Sequence, residues 1–121
     1  MKRIRILLVD DSPAFRMGAK LFLTSDPGYE IVGQASSGAD AIQQVSQLHP
    51  DLVLMDLKMP GMDGLEATRR IKTQPGAPNI VIVSLHDNSA YVEAAANAGA
   101  DGFVSKAEFS ALFPVLCDMF S

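Results

Sequence analysis

Carboxylates stand where two apolar segments of this sequence end. Asp10 and Asp11 follow the run Ile4–Val9, and Asp56 follows the run Leu52–Met55. If both runs are parallel strands of one sheet, their carboxyl ends lie at the same edge, so the three carboxylates converge there. Carboxylates held that close repel one another unless a cation compensates them. Hard oxygen donors without an accompanying set of cysteines or histidines favour Mg²⁺.

Two further polar side chains follow later apolar runs. Ser84 follows Ile80–Val83, and Lys106 comes shortly after Phe103–Val104. An ammonium group is a positive point charge suited to phosphoryl oxygens, and a hydroxyl group can donate a hydrogen bond to one of them. These residues therefore add two groups that recognise a phosphoryl group to the predicted Mg²⁺ site.

The polar residues are positioned by a regular alternation along the chain. Short apolar runs alternate with stretches in which apolar residues have helical spacing. Runs that are continuously apolar and β-branched are typical of strands buried on both faces of a parallel sheet. Strict alternation implies right-handed crossovers and a doubly wound α/β sandwich, in which ligands bind at the carboxyl ends of the strands. The predicted strands are Ile4–Val9, Glu30–Gln34, Leu52–Met55, Ile80–Val83 and Phe103–Val104.

Capping and breaking residues delimit the helices between these strands. Ser12-Pro13 supplies a capping hydroxyl and a proline suited to the first helical position, and Asn88 or Ser89 begins the fourth helix. Pro114 either kinks the last helix or marks a late start. The apolar stripe expected for the first helix is Ala14, Phe15, Gly18, Leu21 and Phe22.

Composition excludes several classes of function. A chain of 121 residues, 48% of them hydrophobic, is expected to form a single globular domain over residues 1–121. A net charge of −4 has the wrong sign for direct nucleic-acid binding. The apolar runs are too short to span a membrane, the start does not read as a secretion signal, and the one cysteine, Cys117, cannot form an internal disulfide. We therefore expect a cytoplasmic protein with no membrane contact.

Four motifs, in this order and spacing, resemble the receiver domain of two-component response regulators. The resemblance covers essentially the whole chain, and it is greatest to receivers attached to LuxR/NarL-type helix-turn-helix domains. It implies a flavodoxin-like fold, with a five-stranded sheet in the order 2-1-3-4-5 and five helices. The motifs are ILLVDD, PDLVLMDLKMPGMDG at 50–64, IVIVSLHD at 80–87 and GADGFVSK at 99–106.

The resemblance also implies roles for the carboxylates. It makes Asp56 the phosphoryl acceptor, Asp11 a direct Mg²⁺ ligand and Asp10 a ligand largely through water. The backbone carbonyl of Lys58 would complete the protein's share of the metal shell. Formation of an acyl phosphate is consistent with these residues, because the main obstacle is the approach of one anion to another, which Mg²⁺ and a lysine relieve.

The same resemblance implies a switch and its partners. Ser84 matches the family's switch hydroxyl, Lys106 its lysine and Phe103 its aromatic switch residue. The donor would be a sensor histidine kinase or a phosphotransfer protein, and phosphorylation would change the surface of helix 4, strand 5 and helix 5. That surface would contact a second receiver in a homodimer, or an effector domain. The aromatic residues of the last helix either contribute to it or pack in the core; they are Phe109, Phe113 and Phe120.

Two other functions and one local feature stay open at this point. A pseudo-receiver would bind proteins without taking phosphate, although all the acidic and basic site residues are present. A haloacid-dehalogenase-like phosphotransferase requires an acid two residues after its nucleophile, where this chain has Lys58, so we do not expect a turnover enzyme. Ala107 follows Lys106 where the family often has a proline after a cis bond, which leaves the isomer of that peptide undecided.

Overall fold

The computed structural model describes residues 2–121 and contains one parallel sheet covered by helices on both faces. The strands are β1 (Ile4–Val9), β2 (Tyr29–Ala35), β3 (Leu52–Met55), β4 (Asn79–Ser84) and β5 (Gly102–Ser105). Their spatial order is β2-β1-β3-β4-β5, which confirms the predicted doubly wound fold. The strand order reverses at β1 and β3, so the carboxyl ends of these two strands form the crevice where such sheets bind ligands.

Four of the five helices begin at a side-chain cap. In each, an oxygen of Ser12, Ser37, Asp63 or Asn88 accepts a hydrogen bond from the backbone N–H three residues later. Such caps satisfy N–H groups that have no partner inside the helix. None of the helices between residues 2 and 121 is long and apolar enough to cross a bilayer. The helices are α1 (Pro13–Thr24), α2 (Gly38–Leu48), α3 (Gly64–Lys72), α4 (Ser89–Asn97) and α5 (Leu112–Met119).

The last helix starts late, as one of the two alternatives for Pro114 predicted. A 3₁₀ segment, Lys106–Ala111, follows β5 and is interrupted at Glu108, whose φ of −130° and ψ of 51° are not helical. Pro114 then falls in the first turn of α5, where its missing N–H breaks no intrahelical hydrogen bond. The Lys106–Ala107 peptide bond is trans, like every other peptide bond of residues 2–121.

The sheet separates two apolar clusters. One lies under α2, α3 and α4, and the other lies under α1 and α5. Aromatic rings fill the second: the ring centroids of Phe22 and Phe113 are 4.8 Å apart, and Phe113 stacks on Tyr29 at 5.7 Å. Phe109 meets Phe22 at 5.3 Å, and Phe120 is half-buried against the same cluster. The aromatic residues at the end of the chain therefore pack against the core.

The stripe predicted for α1 is wrong in part. Leu21 is 68% exposed, and Ala14 and Gly18 also face solvent. The buried residues are Ala19 and Leu23, and Phe15 and Phe22 are half-buried beside them. This face is the set i, i+4, i+7 and i+8 counted from Phe15, so the helix is rotated from the expected orientation.

Candidate functional site

Asp10, Asp11 and Asp56 meet at the carboxyl edge of β1 and β3. One carboxylate oxygen from each lies within 4.8 Å of the others. Val9 and Met55 are partners in the parallel register, so the residues that follow them leave the sheet side by side. Asp10 and Asp56 are only 3% and 7% exposed, whereas Asp11 is exposed. Hard oxygen donors that are buried on one side and open on the other suit Mg²⁺, which usually keeps several waters.

Lys106 supplies a protein cation to this cluster. Its Nζ lies 2.7 Å from Asp10 Oδ2 and 3.7 Å from Asp56 Oδ1. The lysine side chain is 14% exposed, so the ammonium group is largely removed from water. It reaches the carboxylates because β5 ends one residue before it, at the same edge of the sheet. The structure therefore brings together the residues that end β1, β3 and β5.

The acceptor candidate Asp56 has an unusual acidity. Burial, and next the negative charge of Asp10, raise the pKa of Asp56 to about 6. The Lys106 charge and a 2.9 Å hydrogen bond from the Leu57 N–H lower the pKa, and the Asp11 charge raises it further. A carboxyl group with this pKa is mostly ionised at pH 7, so Asp56 is able to act as a nucleophile there.

The first turn of α1 holds Asp10 in place. The Ser12 N–H donates to Asp10 Oδ1 at 2.9 Å. The Arg16 guanidinium donates to the backbone carbonyl of Asp10, and its Nε donates to Gln34 Oε1 at 3.0 Å. The sequence predicts Ser12 only as a helix cap, and nothing in its pattern predicts the contact of Arg16 with the Asp10 carbonyl.

Gly64 sets the backbone of Asp56. It begins α3, and its N–H donates to the Leu57 carbonyl at 2.9 Å. A β-carbon at this position would overlap the backbone carbonyl oxygen of Asp56. Only glycine allows the helix to approach the acceptor this closely, which gives the MPGMDG motif a role beyond forming a loop.

The loops after β4 and β5 are joined to each other. Ser84 is fully buried, and its Oγ accepts a hydrogen bond from the His86 N–H at 3.0 Å. Ser105, opposite Ser84 in the parallel register, donates from Oγ to Asp87 Oδ2 at 2.8 Å. Ser105, the residue before Lys106, is therefore hydrogen-bonded to the loop that follows Ser84.

Phe103 and Lys58 both face α4. Phe103 is half-buried on β5 and lines a groove of about 180 Å³ together with Val92 and Ala96 of α4. Lys58 is exposed in the loop after β3, and its Nζ lies 5.0 Å from the centroid of the Tyr91 ring. The Lys58 side chain thus reaches α4, and the metal-ligand role of its backbone carbonyl stays a prediction.

The chain belongs to the response regulator receiver domain family, because the sequence model of that family matches residues 6–113. It is similar to a crystal structure of a LuxR-family two-component response regulator from Aurantimonas sp. SI85-9A1, with a TM-score of 0.87 and 38% identity. That match covers 95% of this chain and 85% of the other. The predicted family and its receiver function in two-component signalling are confirmed.

Curated relatives include both regulators and an enzyme. The nitrate/nitrite response regulator protein NarL of Escherichia coli (strain K12) is 40% identical over 101 residues, which are 84% of this chain and 47% of that protein. A protein-glutamate methylesterase/protein-glutamine glutaminase of Alkalilimnicola ehrlichii is 40% identical over 105 residues, 86% of this chain and 27% of that protein. The chain therefore spans half or less of the length of these relatives, and the predicted lack of turnover stays a prediction.

Proposed function

We propose that Asp56 of this receiver domain, residues 1–121, accepts a phosphoryl group in the cytoplasm from a sensor histidine kinase or a phosphotransfer protein. The observation that carries the proposal is the position of the Asp56 carboxylate, buried among Asp10, Asp11 and the Lys106 ammonium. In the transfer, an Asp56 oxygen attacks phosphorus and forms a new P–O bond. The bond from phosphorus to the donor breaks, and its electron pair leaves with the donor.

Asp11, Asp56 and the Lys58 carbonyl would hold Mg²⁺ directly, and Asp10 would reach the ion largely through water. The pairing of Asp10 Oδ2 with Lys106 supports this division, because that oxygen already has a cationic partner. When bound, Mg²⁺ neutralises charge that gathers between the acceptor carboxylate and the phosphoryl oxygens.

Lys106 and Ser84 would hold the transferred group. The Ser84 Oγ accepts from the His86 N–H, so the hydroxyl hydrogen of Ser84 is available for a phosphoryl oxygen. Movement of Ser84 towards that oxygen would shift the loop before α4 and allow Phe103 to pack further inward. The surface of α4, β5 and α5 would change as a result.

An intact-mass measurement tests the acceptor. Incubation with acetyl phosphate and Mg²⁺ should add about 80 Da, the mass of one phosphoryl group on a carboxylate. Asp56→Asn should abolish the addition, and Asp118→Asn, an exposed acid on α5, should not. A wild-type protein that gains no mass would favour the pseudo-receiver. An adduct that persists in Asp56→Asn would contradict the assignment of Asp56.

The output surface would contact either a second receiver in a homodimer or an effector domain. Val92 of α4 is 40% exposed, so this surface offers an apolar side chain to a partner. Contact with an effector domain is supported by NarL, because the match covers only 47% of that protein. Sedimentation with and without beryllofluoride, at several protein concentrations, tests self-association. A dimer that forms only with beryllofluoride supports the homodimer, and a monomer in both conditions excludes it.

A further inference from the structure

The Lys106 ammonium has a third neighbour besides its two carboxylates. Its Nζ lies 4.2 Å from the centroid of the ring of Phe15, which belongs to α1. An ammonium group within about 6 Å of a ring centroid is attracted by the negative face of the ring. The attraction is stronger when the cation is removed from water, and the lysine side chain is 14% exposed.

Phe15 has contacts at both its backbone and its ring. The Phe15 backbone N–H donates to the capping Ser12 Oγ at 3.2 Å, in the first turn of α1. Its ring meets the Phe109 ring edge-on, with centroids 5.5 Å apart and planes at 72°. The cavity that Phe15 and Phe109 share with Asp10 and Asp56 has a volume of about 10 Å³, which is room for one water at most.

A lysine side chain has four rotatable bonds, so its ammonium group is seldom fixed by one ion pair. Here the ammonium is paired with Asp10 and also lies over the Phe15 ring. A cation fixed before the reaction needs no rearrangement when charge develops on the transferred group. A ring that fixes the ammonium in this way would lower the cost of ordering Lys106 for the phosphoryl oxygens.

We propose that Phe15 is a positioning residue for phosphoryl transfer, whose ring face holds the Lys106 ammonium beside Asp10 and Asp56. This inference rests on the proposed function of Asp56. Plain packing of Phe15 against Phe109 is the competing explanation. The two differ in one respect, because packing depends on the volume of the ring, whereas attraction of a cation depends on the charge distribution of the ring.

Fluorinated phenylalanines separate these explanations. Substitution of Phe15 by its 4-fluoro, 3,5-difluoro and 3,4,5-trifluoro analogues weakens the negative ring face stepwise with little change in volume. The measured quantity is the rate constant for phosphorylation by acetyl phosphate at saturating Mg²⁺. We expect its logarithm to fall with each fluorine, to about a fivefold to tenfold loss for the trifluoro ring and for Phe15→Leu. Phe15→Tyr should stay close to wild type.

Phe22 provides the matched control. It lies on the same helix and packs against Phe109 and Phe113, in the same aromatic group. The same analogues at Phe22 should leave the rate constant unchanged. A flat series at Phe15, or an equal slope at Phe22, would overturn the role of Phe15.

A second measurement reports the contact without phosphorylation. The ε-methylene protons of Lys106 should resonate upfield in the wild type because of the Phe15 ring current, and this shift should vanish in Phe15→Leu. Absence of the shift in the wild type would also overturn the proposal. If the wild type takes no phosphoryl group, the proposed function fails and this role fails with it. If phosphorylation is normal and the Phe15 series is flat, only the role of Phe15 fails.

Discussion

Lys106 forms a close ion pair with Asp10, at 2.7 Å between Nζ and Oδ2. The aspartate side chain is only 4% exposed, so this lysine provides the charge that compensates a nearly buried carboxylate. An ion such as Mg²⁺ would bind to the same carboxylates and would be repelled by the ammonium. The lysine should therefore have two opposed effects, since it should stabilise the metal-free fold and weaken metal binding.

Lys106→Ala should show both effects. The free energy of unfolding of the metal-free protein at pH 7.5 should fall by about 3 kcal/mol, as is typical when one partner of a buried ion pair is removed. Mg²⁺ should bind several-fold more tightly. Urea denaturation and isothermal titration measure the two quantities. Lys72→Ala, which removes a 2.9 Å pair with Asp101, should lose stability without a change in Mg²⁺ affinity. Unchanged Mg²⁺ affinity in Lys106→Ala would contradict the competition.

Asp11→Asn should weaken Mg²⁺ binding. Asp11 is the exposed member of the three carboxylates and the one we assign as a direct ligand. Loss of a charged oxygen ligand should reduce the affinity about tenfold or more. Isothermal titration checks this result, with Asp118→Asn as a control of equal charge change. Equal affinities for wild type and Asp11→Asn would mean that Asp11 is not a ligand.

The stability of the metal-free protein should depend on pH through Asp56. The pKa of this carboxyl is about 6 in the folded protein against 3.8 for an ordinary aspartate. Between about pH 4 and pH 6 the folded state holds more protons than the unfolded state, so the free energy of unfolding should fall as pH rises, by roughly 2–3 kcal/mol, and then level off.

Urea denaturation after removal of metal ions measures this dependence. Asp56→Asn should remove the fall, because an amide does not titrate in this range. Saturating Mg²⁺ should oppose the fall, since the ion binds the ionised carboxylates and competes with protons. Wild-type and Asp56→Asn curves that run parallel between pH 4 and pH 6 would show that Asp56 has an ordinary pKa.

Two glycine-to-alanine substitutions should change the free energy of unfolding in opposite directions. Gly64→Ala places a methyl group against the Asp56 carbonyl oxygen and should lower the free energy of unfolding by about 3 kcal/mol. Gly18→Ala meets no atom within 4 Å on the exposed side of α1, and should raise it by about 0.5–1 kcal/mol. Urea denaturation of both variants is the test. A stable Gly64→Ala protein would mean that α3 can move away from the acceptor at little cost.

The edge of the sheet could be predicted because the strands are unambiguous. Leu52–Met55 is buried on both faces. A continuous apolar run of four residues that closely follows Pro50 is too short for a typical helix, so it favours a strand. Once the strands are parallel, Asp56 and Lys106 must lie at one edge, and their proximity follows from topology. Their chemical roles do not follow from topology and stay predictions.

The rotation of α1 could not be predicted in the same way. Apolar residues cover this helix except for a polar strip of Arg16, Lys20 and Thr24, and Leu21 and Leu23 lie on either side of that strip. Either leucine therefore fits an apolar stripe in the sequence. Packing against Phe109 and Phe113 selects the face that carries Phe15 and Phe22. The contact between Phe15 and Lys106 joins opposite ends of the chain, and no local pattern encodes it.

The separation of the core into two clusters has a spectroscopic consequence. The chain has two tyrosines and no tryptophan, and each tyrosine belongs to a different side of the sheet. Tyr29 stacks on Phe113 beneath α5, while Tyr91, on α4, lies beside Lys58 and His86. Each single Tyr→Phe variant would therefore keep one tyrosine as its fluorophore, on one known face of the sheet. Emission from Tyr91 would report on the loops after β3 and β4, and emission from Tyr29 would report on the packing on the other face.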